Sequence, residues 1–165
     1  MAPEASQIQL PINLIDTTDI NRAKREVEAL AEFLDQASIR EPGKQPAMPR
    51  TSKTLEELAR INKLNLLIAD QRQQVLSFLE YLQQKAPNIH ISFATDPSAA
   101  FLGKIVQWFR AEVHPHTLVH VGLQPSIAAG CIVRTPNKYF DLSLRQHFNQ
   151  NRQSLLDSLE GLKSE

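Results

Sequence analysis

The feature that most constrains this chain is a change of hydrophobic period at Pro87. Before it, apolar residues recur three and four apart. After it, they alternate. In residues 18–38 the apolar positions are Ile20, Ala23, Val27, Leu30 and Leu34, spaced three, four, three, four. That spacing puts them in one narrow stripe along a helix. In residues 88–94, Ile89, Ile91 and Phe93 alternate with His90, Ser92 and Ala94, which points them to one face of a strand. One set of residues cannot serve both periods, so the sequence implies a helical first part followed by a part that contains a sheet.

Residues 1–16 carry Pro3 and Pro11 and little periodicity. They read as a flexible arm with a short extended piece at Ile12 to Ile15. Thr17, Thr18 and Asp19 are candidate caps for the 18–38 helix. Arg22, Arg25, Glu28 and Glu32 cover its other faces. The seam has two readings: packing within its own domain, or a partner helix gripped by Ile20, Val27, Leu30 and Leu34. Residues 40–52 hold Pro42, Gly43, Pro46 and Pro49 and read as a loop. Residues 54–86 read as one long helix. Thr54 and Glu57 have capping-box spacing. Leu58, Ile61, Leu64, Ile68, Val75, Phe78 and Leu82 continue the three/four pattern, with polar Gln71 at the missing step. At about 1.5 Å per residue such a helix reaches nearly 50 Å, more than so small a domain can cover. Ile61, Leu64 and Ile68 are therefore further candidate partner contacts.

In the second part, Asp96 and Pro97 make a good helix start after the first strand. The helix runs to about Val113 and is expected to bury Phe101, Ile105, Trp108 and Phe109. Pro115 stops it. Val119, Val121 and Leu123 form a second strand, so the run implies a right-handed parallel crossover. Cys131 to Arg134 is a third strand. Pro136-Asn137 makes a tight turn, and Lys138 to Phe140 is a fourth strand. From Leu142 a final helix is expected through Leu144, Phe148, Leu155, Leu156, Leu159 and Leu162. The fold class is α+β: an N-terminal helical segment with one long helix, then a small βαββα domain with a four-stranded mixed sheet. The domain reading is a flexible arm at 1–16, a stalk-like helical segment at 17–87 with its Pro-rich loop at 40–52, and the βαββα domain at 88–165.

Several function classes have little support. The chain has 165 residues, and its 18 basic and 18 acidic side chains cancel. A nucleic-acid binder needs a basic excess to neutralise phosphates. No apolar run approaches the roughly 20 residues of a membrane span. The start, MAPEASQIQL, has neither a basic n-region nor an apolar h-region, so no signal peptide is expected. His114, His116 and His120 form His-Pro-His-x-x-x-His, but the loop pair and the strand histidine differ in geometry, so solvated histidines are favoured over a zinc site. Cys131, the one cysteine, lies in an apolar strand where burial raises a thiol pKa and leaves it inert. Ser126 lacks a nucleophile-elbow setting. The five glycines are scattered and form no phosphate loop. The expectation is no catalytic residue, no cofactor, no metal and no small-molecule substrate.

The run Leu123-Gln124-Pro125-Ser126-Ile127-Ala128-Ala129-Gly130-Cys131-Ile132-Val133-Arg134-Thr135-Pro136-Asn137-Lys138-Tyr139-Phe140-Asp141-Leu142-Ser143-Leu144-Arg145 resembles the C-terminal signature of the F-type ATP synthase delta subunit family. In mitochondria this subunit is the oligomycin-sensitivity-conferring protein. Ser126, Ile127, Gly130, Arg134, Lys138, Asp141, Ser143, Leu144 and Arg145 fall at matching places. Gln124 replaces an acidic residue, Ala129 replaces the first of two glycines, and Leu142 stands inside what is usually Asp-Gly-Ser. The resemblance covers about residues 88–160. It implies a non-catalytic peripheral-stalk subunit with ATP synthase alpha and b subunits as partners, held at the cytoplasmic side of the membrane through them and serving proton-coupled ATP synthesis. It also makes Gly130, Arg134 and Arg145 candidate partner contacts. The family carries a larger N-terminal helical bundle than the two helices read here. The rival readings are a stand-alone helical adaptor that dimerises and a small enzyme.

Overall fold

The structure, a computed structural model, describes residues 8–40, 49–144 and 151–152. Among these residues the order is α1 Thr17–Arg40, α2 Lys53–Ile61, α3 Ala69–Lys85, β1 Asn88–Phe93, α4 Ala99–Glu112, β2 Leu118–Leu123, a 3₁₀ turn at Pro125–Ile127, β3 Gly130–Arg134 and β4 Tyr139–Ser143. The fold is α+β, with a long N-terminal helix and a four-stranded mixed sheet. The chain divides into two compact units, one comprising Met1–Pro87 and Gly103–Leu118, the other Asn88–Leu102 and Val119–Glu165.

In the first unit the α1 seam forms where its spacing predicts. Ile20, Ala23, Val27, Leu30 and Leu34 are all buried. They meet Val75, Phe78, Leu79 and Leu82 of α3, with Leu55 and Leu58 of α2 completing the cluster. Polar pairs flank the antiparallel α1 and α3: Asn21 with Gln83, Lys24 with Glu80 at 2.8 Å, and Asp35 with Arg72 at 3.9 Å. The start of α1 is capped one residue earlier than expected. Asp16 accepts from the Asp19 amide at 2.9 Å, and the Asp19 carboxylate accepts from the Ile15 amide at 3.1 Å. The α2 cap is Ser52, whose hydroxyl accepts from the Leu55 amide at 3.2 Å and donates to Glu26 of α1 at 2.6 Å. Thr54 and Glu57 do not fill the capping role.

The expected single helix over 54–86 is two helices, and the long helix among the described residues is α1 instead. The break has a clear physical cause. Lys63 adopts φ 54°, the left-handed conformation. Leu64 N–H donates to Ala59 at 2.8 Å and Lys63 N–H to Arg60 at 3.3 Å, the bond pair of a Schellman cap. Asn62 reaches back to the Leu58 carbonyl at 2.8 Å, and Asn65 accepts from the Leu67 amide at 3.0 Å. These side chains compete with the helical ladder for its own groups. Arg72 then takes the Leu66 and Leu67 carbonyls, each at 3.0 Å, from a buried position on α3.

Residues 8–16 are held, not loose as expected of an arm. Leu14 is fully buried in the helical core, and Ile8 and Leu10 pack against it. Asn62 both donates to and accepts from the Gln9 backbone, at 3.0 and 2.7 Å. The Arg110 guanidinium donates to the carbonyls of Leu10 at 3.3 Å, Pro11 at 2.9 Å and Leu14, while its Nε meets Thr117 at 3.4 Å. Burial lowers its pKa to about 10, so it stays charged at neutral pH. His116 Nε2 lies 3.2 Å from the Ile8 carbonyl, and its ring meets the edges of Phe78 and Tyr81. Its Nδ1 is buried without a partner. The imidazole is therefore neutral with its proton on Nε2. Burial pushes its pKa below the usual 6.5, reinforced by His114 and Arg110.

The second unit is built on the sheet, in strand order β2-β1-β3-β4. Both β1 with β3 and β3 with β4 pair antiparallel. Ile89, Ile91 and Phe93 point inward as their alternation requires. Thr135 and Lys138 close the hairpin around Pro136-Asn137, with Thr135 N–H donating to Lys138 at 2.8 Å. β4 continues through Ser143, so the expected helix does not begin at Leu142. The rest of that helix lies outside the described residues. Helix α4 differs most from expectation. Phe101 is 50% and Trp108 57% exposed, Ile105 and Phe109 are half-buried, and the fully buried residue is Val106. Apolar residues occur almost all the way round this helix, so spacing alone could not choose the buried side.

Two outcomes follow from these details. Lys63→Gly relieves a side chain held at positive φ and should stabilise the fold by about 1 kcal/mol, seen as a melting temperature about 2–4 °C higher. For His116 the unfolded chain binds a proton near pH 6.5 and the folded chain only at lower pH. Its contribution to stability is thus complete above pH 6.5 and lost as pH falls below it. His116→Gln keeps a donor for Ile8 and removes the titration, so denaturant melts between pH 7 and 5 should fall less steeply than those of the wild type.

Candidate partner-binding surfaces

No group of three or more His, Cys, Asp or Glu side chains gathers to hold a metal among the described residues. Of the three clustered histidines of the sequence, His114 and His116 stay together, with ring centroids 5.5 Å apart, and His120 lies elsewhere. His116 turns to Ile8 inside the first unit, while the His120 ring lies 4.8 Å from His90 on the sheet. Cys131 is partly buried in β3, and burial raises its pKa.

The candidate contact residues divide sharply. Ile20, Val27, Leu30 and Leu34 are core residues, so their seam is satisfied inside this chain. Leu64 packs against the same core, and Ile61 is half-buried. Ile68 is 44% exposed at the start of α3, next to exposed Leu67. Arg134 is exposed, its guanidinium 5.5 Å from the Tyr139 ring centroid. Arg145 lies outside the described residues.

Gly130 is demanded by the ladder itself. It sits at φ +90°, and a Cβ there would stand 2.3 Å from the Leu142 carbonyl oxygen and 3.1 Å from Ser143 Cα. Close approach of β3 and β4 thus excludes any side chain at this position. Asp141 and Ser143 work at the same joint. The Asp141 carboxylate accepts from the Ser143 amide at 2.9 Å. That contact occupies a donor on an edge strand, where free donors invite pairing with other chains.

The surface that residue-by-residue reading missed is the outer part of the apolar sheet face. The register places Ile91, Val133 and Phe140 in one row and Phe93, Cys131 and Leu142 in the next. Burial fades along each row. Ile91 and Phe93 are buried, Val133 and Cys131 half-buried, and Phe140 and Leu142 are 47% and 63% exposed. Exposed Leu144 extends the strip. The strand alternation was legible, but exposure depends on what covers each row, which alternation does not encode.

A family model described as the ATP synthase delta (OSCP) subunit matches residues 14–155. The chain belongs to this family. The match reaches beyond the C-terminal signature into all three of the helices α1, α2 and α3. No curated protein matches the chain. The family is the peripheral-stalk subunit of F-type ATP synthase, a structural stator component. Membership makes this chain a component of that complex. No described helix is long and apolar enough to cross a membrane. In family terms, Gly130, Asp141 and Ser143 of the signature serve the β3–β4 joint, while Arg134 faces outward.

The joint gives a direct check. Gly130→Ala should destabilise the chain by about 2 kcal/mol or more, from strain at positive φ and the clash with Leu142. Urea melts of the two proteins measure it.

Proposed function

We propose that this chain is a non-catalytic link of the peripheral stalk, joining b-subunit helices to the catalytic head. The head contact would be through the alpha subunits. The observation that carries the reading is the apolar strip of Phe140, Leu142 and Leu144, exposed at the β4 edge of the sheet face whose inner residues Ile91 and Phe93 are buried. An apolar strip about three side chains long suits one ridge of an amphipathic helix, the form a stalk helix presents. Ile68 and Leu67 on the first unit are the corresponding candidates for the head side, and Arg134 adds a polar contact at the sheet. The chain would then sit peripherally on the cytoplasmic side of the membrane, attached through its partners, and serve proton-coupled synthesis by resisting torque.

Co-purification tests this. The wild type should be recovered with alpha and b subunits from solubilised membranes, and its absence from the intact synthase would reject the reading. Leu142→Asp places a charge in the strip at an already exposed site. It should weaken binding to b-subunit helices roughly tenfold or more while leaving the melting temperature within a few degrees.

A further inference from the structure

The opposite face of the same sheet carries different chemistry. His90 on β1 is the Cα partner of Arg134 on β3, and Arg134 is the Cα partner of Tyr139 on β4. The His120 ring on β2 lies 4.8 Å from the His90 ring, with the planes tilted by 33°. The four side chains therefore form one transverse row across every strand, in the order β2, β1, β3, β4. At about 4.8 Å per strand spacing the row is about 14 Å long. All four residues are exposed. The Arg134 guanidinium lies 5.5 Å from the Tyr139 ring centroid. A Cβ at Gly122 would stand 3.0 Å from His90 Nε2, so the glycine leaves room for that ring. Asp141 is on the same face in the adjacent row, opposite Ile132, and its carboxylate accepts from the Ser143 amide.

We propose that this row is a docking strip for an acidic, carboxylate-bearing segment of a protein partner. Three of its four members carry or can acquire positive charge, and Arg134 carries it at every physiological pH. Planar guanidinium and imidazolium groups donate hydrogen bonds well suited to carboxylates. The neighbouring cations also oppose one another. Burial lowers the His90 pKa first, and the charges of His120 and Arg134 lower it further. A partner carboxylate on the strip offsets that repulsion and favours imidazolium. Docking and proton uptake are then linked, so affinity rises as pH falls through the imidazole range. A nucleic acid fits less well, because a row with one guanidinium can neutralise few phosphates. The proposal deepens the stalk reading only in naming the chemistry of one partner. The strip itself can be tested on the isolated full chain.

The probe is a synthetic glutamate-rich decapeptide, titrated at pH 7.5 and 5.5 and followed by amide chemical shifts. The wild type should bind saturably, with shifts centred on the row and affinity about tenfold higher at pH 5.5. Arg134→Gln should weaken binding about tenfold at both pH values. The double variant His90→Gln, His120→Gln should bind like the wild type at pH 7.5 and lose the gain at pH 5.5. Amide spectra unchanged outside the row verify that the variants fold. The strip is refuted by absence of saturable binding at pH 5.5, by wild-type affinity in Arg134→Gln, or by a pH gain that survives in the double variant. A single-stranded oligonucleotide that saturates the row where the peptide fails refutes it as well. Failure to co-purify with the synthase counts against the stalk reading alone.

Discussion

The α1 seam is the constraint on which the helical unit depends. Its apolar side chains are spaced so that one face of a 24-residue helix must be covered, and α3 and α2 cover it. Once that packing is set, the irregular segments around it must find partners for their backbone groups. Two arginines meet that need. Arg72 takes the Leu66 and Leu67 carbonyls of the α2–α3 turn, and Arg110 takes those of Leu10, Pro11, Leu14 and Thr117. A guanidinium carries five donors in a fixed fork, so it can serve several carbonyls where no regular ladder exists. In both cases a charged side chain on a helix organises a neighbouring non-helical stretch.

The sheet unit works by contrast between its two faces. One is apolar and open at the β4 edge. The other presents imidazoles and a guanidinium in a row. The family signature serves both. Its glycine and aspartate let β4 approach β3 and occupy an edge donor, and its arginine faces out. Leu142, inside the signature, is among the most exposed apolar residues of the unit. It adds apolar area where a partner helix is proposed to sit.

Much of the fold was legible. The period change at Pro87, the α1 seam, the strands and the Pro136-Asn137 turn follow from local rules acting on adjacent residues. The misses have two causes, one local and one long-range. The break at Lys63 was hidden because Leu58, Ile61, Leu64 and Ile68 keep helical spacing across it, while Asn62 and Asn65 take the bonds that would extend the helix. The segment 8–16 looked loose because its anchors, Arg110 and His116, lie about 100 residues away. The transverse row escaped for the same reason: His90, His120, Arg134 and Tyr139 are scattered until pairing register aligns them.

By itself the sequence determined which segments are helical or extended, where most of them end, and which family the signature resembles, because these depend on period, capping and residues within one or two turns. Only the tertiary structure decided which apolar faces are covered and which remain open. It turned the α1 seam from a candidate partner surface into core, exposed Trp108 and Leu142, and buried Val106. Burial is set by what arrives from elsewhere in the chain, and alternation or heptad spacing fixes the direction of a side chain without saying what it will meet.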